Sequence, residues 1–292
     1  MKMDVMLTPL VALVVSRTLF QRIATILLPF ILAACATTGT AQNTPTREDG
    51  RARLATAEAM FAERCKKAGV FIHRTAENIE VIFLMKIRPK GINYGDQYAL
   101  DDPYGSDHGG DAYIRSFLRG NYADNRPEKP TAQTPPRNAY RYVEALDPTD
   151  GNRYRYTGSI KEVTHTTSVL MGGDGKTTFK TKDFVLDKLP APGPTPRYGV
   201  TYDDISTRED RDHWIAGSSL RVIDLATHVV MAERIGYMVD RGQGDRGGGR
   251  SPWLFAADNA CPPFGSRYGA AAQTNQTEKF VETVLKPTDL EK

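Results

Sequence analysis

Apolar residues recur at three- and four-residue spacings between Arg51 and Ala68, where Leu54, Ala57, Phe61 and Cys65 fall on one stripe. That spacing predicts a helix, with Gly69 as its terminator. Valine, isoleucine and phenylalanine then concentrate between Val70 and Ile87, and Ile79 to Ile87 reads as a strand. Tyr140 to Leu146 and Arg153 to Ile160 flank Asp147-Pro-Thr-Asp-Gly151, whose residues favour a tight reversal, so a hairpin is expected there. A second hairpin is expected from Leu220 to Leu225 and Val229 to Val239, joined by Ala226-Thr-His228. A short final helix fits Thr277 to Leu285, stopped by Pro287. Breaker-rich stretches at Asn125 to Pro136 and Pro190 to Pro196 read as surface loops or stiff spacers. Strands meeting through hairpins, with helices at the two ends, predict an α+β fold: a mainly antiparallel sheet of hairpins with an N-terminal helix and a short C-terminal helix. No internal repeat of fixed period is visible.

The first residues follow a different pattern. Lys2, Arg17 and Arg22 precede the apolar run Ile23 to Ala34, which at about twelve residues is too short to cross a ~30 Å hydrocarbon core as a helix. A basic stretch, a short apolar stretch and small residues before a cut is the layout of a secretory signal. Here the small residues lead into a cysteine, and Leu32-Ala33-Ala34-Cys35 resembles the lipobox of bacterial prolipoproteins. The resemblance implies that residues 1–34 are removed as a signal peptide and that the Cys35 thiol carries diacylglycerol, with the new amine usually acylated too. An ordinary signal peptide with a coincidental cysteine is the alternative. One acyl chain holds a protein only marginally and two or three hold it almost permanently. Within the family, Asp after the cysteine marks retention in the inner membrane of enteric bacteria. Ala36 in that place favours the outer membrane, facing the periplasm. Residues 35–47 are small and polar with one proline and suit a flexible tether, which leaves 48–292 for a single globular domain.

Losing Lys2, Arg17, Arg22 and Asp4 with the signal lowers the net charge from +3 to +1. No broad basic excess remains, so nucleic acid binding has no electrostatic support. With Cys35 lipidated, Cys65 and Cys261 are the remaining thiols of the three in the chain. An even pair exported to an oxidising compartment predicts one disulfide from the N-terminal helix to a late loop, with two buried free thiols as the alternative.

Cofactor motifs fail on inspection, and no cofactor is expected. Gly242-Gln-Gly-Asp-Arg-Gly247 has dinucleotide-motif spacing but runs into Gly248-Gly-Arg-Ser-Pro252 where a helix should begin, so it reads as a glycine-rich loop. Gly172-Gly-Asp-Gly-Lys-Thr177 ends like a phosphate loop but lacks the glycine four residues before Gly175, and reads as a turn between strands. The best site candidate is the stretch holding Asp101, Asp102, Asp107, His108 and Asp111, which offers four carboxylates and an imidazole to a cation. It lacks EF-hand alternation and paired histidines, and the competing reading is a solvated loop whose aspartates bond their own backbone. No serine sits in a nucleophile elbow. Tyr140-Arg-Tyr142 and Arg153-Tyr-Arg-Tyr156 interleave residue types common at interfaces, against a plainer reading as cross-strand pairs on a solvated sheet face. The expectation is a non-enzymatic, lipid-anchored protein that binds a protein or envelope component. An immunity lipoprotein neutralising a periplasm-acting toxin, and a metal-dependent hydrolase using the Asp101 to Asp111 stretch, are the alternatives.

Overall fold

The computed structural model describes residues 47–91, 97–98, 107–118, 139–264 and 274–288, and the chain from Arg47 onward forms one compact unit. Cys35, Asp101, Asp102, the Asn125 to Pro136 stretch and the tether up to residue 46 lie outside these residues.

Helix α1 (Arg47–Cys65) realises the first apolar stripe. It ends without the help of Gly69, which opens strand β1 (Gly69–Ile72), where the ring of Phe71 lies against its Cα. Of the strand expected over Ile79 to Ile87 only Val81–Leu84 is extended in the sheet, and Ile79 closes a separate strand that begins at Ala76. Strand β2 (Ala76–Ile79) and β3 (Val81–Leu84) belong to different sheets, and Asn78, with a left-handed φ of 56°, bends the chain just before they part. The carbonyl of Glu80, between them, accepts the backbone N–H of Arg141 at 2.8 Å.

After helix α2 (Asp111–Leu118) come β4 (Tyr142–Leu146), β5 (Arg153–Thr166), β6 (Thr178–Pro190) and β7 (Tyr198–Asp204). The one-turn helix α3 (Arg208–Asp212) leads to β8 (Ile215–Asp224) and β9 (Val229–Val239). Helix α4 (Pro252–Ala256), β10 (Ala260–Cys261), helix α5 (Gln276–Val284) and β11 (Leu285–Pro287) complete the described chain. Both expected hairpins are present, as β4–β5 and β8–β9.

The main sheet runs β1-β9-β8-β7-β3-β4-β5-β6, with β10 also paired to β9; β2 and β11 form a separate parallel pair. Within the main sheet every pairing is antiparallel except those of β3, which runs parallel to both β4 and β7. The fold is α+β with a mainly antiparallel sheet and a short C-terminal helix. Strand β3 sits at its centre, and Ile82, Phe83 and Leu84 are all buried, as expected of a strand covered on both faces.

Side chains alternate across the sheet, so residue parity sorts the packing. On one face Ile82, Leu84, Val143, Ala145, Tyr156, Val200, Tyr202, Leu220 and Val222 meet Tyr113, Ile114, Phe117 and Leu118 of α2 and Phe280, Val281 and Val284 of α5. Further along the same face, Ala216 and Met238 pack with Trp214 and with Trp253 and Ala256 of α4. The opposite parity of β8 and β9, Ile215, Ile235, Tyr237 and Val239, receives Ala57, Met60 and Phe61 of α1.

Candidate functional site

The two cysteines come together at the end of this last contact. Strands β1 and β10 lie end to end on the same side of β9, which brings the C-terminus of α1 beside β10. Cys65 and Cys261 are joined there, with Cα atoms 5.6 Å apart, inside the range a disulfide requires. The bridge links α1 to a short strand, where the sequence suggested a loop.

The acidic stretch is built into the fold around the N-terminus of α5. Asn275, the residue preceding that helix, has a φ of 62° and makes no side-chain cap. Its Oδ1 lies 2.5 Å from Nε2 of His108 instead. The vacated capping role falls to Asp107, whose Oδ2 accepts the N–H of Thr277 at 2.8 Å while its Oδ1 accepts the N–H of His108 at 2.9 Å. Buried Arg88 donates to Oγ1 of Thr277 at 3.1 Å and lies over the rings of Tyr202 and Tyr113. The glycines of Asp107-His-Gly-Gly-Asp111 are needed for close approach. A Cβ on Gly109 would fall 2.4 Å from the carbonyl oxygen of Pro89, and Gly110, at φ +58°, donates its N–H to Arg88. Asp111 opens α2, exposed, where its charge complements the helix dipole. Among the described residues no three histidine, cysteine or carboxylate side chains are grouped to hold a metal ion.

The glycine-rich segment after β9 is organised by a buried carboxylate. Asp240 accepts the N–H groups of Gly242 and Gly244 and pairs with Arg250, whose pKa is raised mainly by that hydrogen bond. Gly244 lies against the indole of Trp214, where a Cβ would be 2.3 Å from the ring. Helix α4 does not begin until Pro252, so the glycines lead into no helix N-terminus.

Tyrosine and arginine separate by parity on β4 and β5. Tyr154 and Tyr156 face the main core and Tyr140 is buried, donating from its hydroxyl to the carbonyl of Leu285 at 2.5 Å, so these rings do not lie on a solvated face. Arg153 and Arg155 point the other way onto buried Glu144, with Arg155 also over the ring of Tyr142. The cross-strand pairing is real, since Glu144 and Arg155 are register partners.

The most unusual surface lies in the β5–β6 hairpin. These strands pair from Tyr154↔Pro190 to Thr166↔Thr178, while β4 reaches only as far as Val143↔Tyr156. From Thr157 and Asp187 outward the hairpin has no third strand among the described residues; Phe184 and Leu186 still pack against the main core, and from Ile160↔Phe184 to Thr166↔Thr178 the pair runs on by about 20 Å at ~3.4 Å per residue. A bare hairpin is marginal in water, and besides the packing of Phe184 and Leu186 on the core, cross-strand contacts hold this one. Lys161 pairs with Asp187 and Glu162 with Lys180, both at 2.6 Å, and His165 meets Asp183 at 2.7 Å and stacks on Phe179. The ring of Phe184 covers Gly158, leaving no room for a Cβ there.

At its tip, Ser168 leads into one 3-10 turn, Val169–Met171, closed by Gly172 at φ +81°. The three apolar side chains stand 70, 97 and 88 % exposed. Asp174 fixes the loop behind them. Its carboxylate accepts from the N–H groups of Lys176 and Thr177 and from both threonine hydroxyls, Thr167 and Thr177, and those bonds, Thr167 first, hold its pKa well below the usual carboxylate range. The Gly172 to Thr177 segment is thus the hairpin connection expected from the sequence. The sequence signal of its apolar tip is Val169-Leu-Met171 between a serine and two glycines, an exposed apolar run that demands a reason.

No protein-family model, curated protein or solved structure matches this chain.

Proposed function

We propose that the protein is a bacterial lipoprotein, anchored through Cys35 after removal of residues 1–34, whose α+β domain faces the periplasm and acts by binding a protein or envelope component. The observation that carries this reading is the Cys65–Cys261 bridge. Such bonds persist in oxidising compartments, and the bridge accounts for every cysteine except the one in the lipobox-like Leu32-Ala33-Ala34-Cys35. The positions of Asp107 and His108 favour binding over metal-assisted hydrolysis, because both side chains serve the start of α5.

Intact mass of the protein isolated from its own envelope tests the proposal. The account expects a chain that begins at Cys35 and carries the added mass of diacylglycerol, with or without a further acyl group. A chain that retains residues 1–34, or one cleaved without lipid, would overturn it.

A further inference from the structure

We infer that Val169, Leu170 and Met171 form a wedge that enters the interfacial region of a lipid bilayer, a membrane contact additional to the anchor proposed at Cys35. The three side chains stand together at the end of a projecting arm, almost wholly exposed. A soluble domain gains nothing from three consecutive apolar residues in water unless something covers them.

Three features of the tip favour lipid as the cover. No charged residue occurs between His165 and Asp174. The turn also bonds part of its backbone internally: Met171 and Gly173 donate their N–H groups to the carbonyl of Ser168, Gly172 donates to Val169, and Thr167 to Thr177. These bonds lower the cost of leaving water, and at interfacial depth headgroups and water can serve the backbone groups that remain. Behind the wedge, Lys176, Lys180 and Lys182 are exposed, Lys180 paired with Glu162, and the one carboxylate of the loop, Asp174, is bonded to Thr167 and Thr177. Apolar side chains ahead of a lysine collar match a surface of anionic headgroups over acyl chains.

The test uses the full chain with Leu170→Trp, reconstituted with phosphatidylcholine and phosphatidylglycerol vesicles whose acyl chains are brominated. Bromine quenches tryptophan within the acyl region. The native Trp214 and Trp253 are 6 and 2 % exposed and supply a constant background. The expected result is a blue shift and loss of at least half the added emission relative to unbrominated vesicles, deeper with the anionic lipid, and absent when Val169→Asp and Met171→Asp are added. Equal emission in brominated and plain vesicles would overturn the inference and leave the tip to a protein groove. The readout is independent of the anchor, because a chain found without lipid at Cys35 would still show or fail to show quenching at position 170.

Discussion

Breaking the Cys65–Cys261 bridge perturbs the fold at one defined point. The two residues are 196 apart in sequence, and tying chain ends across a loop of that length removes, in the loop-entropy model, about 5 kcal/mol from the unfolded state's advantage. Domains of ordinary size are stable by about 5–15 kcal/mol, so the bridge represents a large share of the margin. The native packing lost with it is small by comparison, since α1 keeps Ala57, Met60 and Phe61 on the sheet and Arg64 keeps its 2.9 Å contact with Asp210. Urea unfolding of the full chain, followed by the fluorescence of Trp214 and Trp253, compares the oxidised protein with Cys65→Ser/Cys261→Ser. With a urea slope of about 2–3 kcal/mol per molar, the midpoint should fall by about 2 M, and a reducing agent should lower the oxidised protein's midpoint to that of the double variant. Midpoints that agree within about 0.3 M would refute the reasoning, and would mean that noncovalent packing of α1 is sufficient.

Asp107→Ala removes the group that caps α5 and should cost about 1–2 kcal/mol, seen as a lower thermal midpoint; an unchanged midpoint would show that water replaces the carboxylate without loss. Tyr140→Phe leaves the buried Leu285 carbonyl without its hydroxyl donor and should cost about 1–3 kcal/mol in denaturant unfolding, whereas a neutral result would mean that the carbonyl finds another donor. Acid should also weaken the fold. Asp147 is held down to about 2, first by Lys188 and then by Thr149, and Asp224 is held below its ordinary range chiefly by Arg197. Carboxylates depressed in the folded state contribute stability above their unfolded pKa near 4, and lose it as pH falls through the folded values. Thermal midpoints should therefore hold between pH 6 and about 4.5 and decline towards pH 2, and a flat profile would contradict the assigned ion pairs.

Much of the architecture is written locally. The stripe Leu54, Ala57, Phe61 and Cys65 locates α1, and Asp147-Pro-Thr-Asp-Gly151 announces the β4–β5 hairpin because its chemistry is its geometry: Asp147 accepts the N–H and hydroxyl of Thr149, and Gly151 takes φ +71°. The parallel placement of β3 between β4 and β7 has no such signature. It depends on contacts across more than fifty residues, and a short apolar run such as Val81 to Leu84 reads alike for an edge or a central strand. The face taken by Tyr154 and Tyr156 was hidden for a related reason: Arg-Tyr alternation fixes a period of two, while which half faces the core is decided by α2. The carboxylate-rich stretch was conspicuous, but its composition could not reveal that Asp107 reaches a helix 170 residues away. The apolar tip stood in plain sight within a segment whose Gly-Lys-Thr ending invited a phosphate-loop comparison.

The measurement closest to the central claim is metabolic labelling with radioactive palmitate of cells making the wild-type chain or Cys35→Ala, followed by fractionation. The account predicts label in the wild-type protein and its recovery with the envelope membranes, and no label in the variant, which should run as an unprocessed or soluble species. Equal label in the two proteins, or none in the wild type, would contradict it.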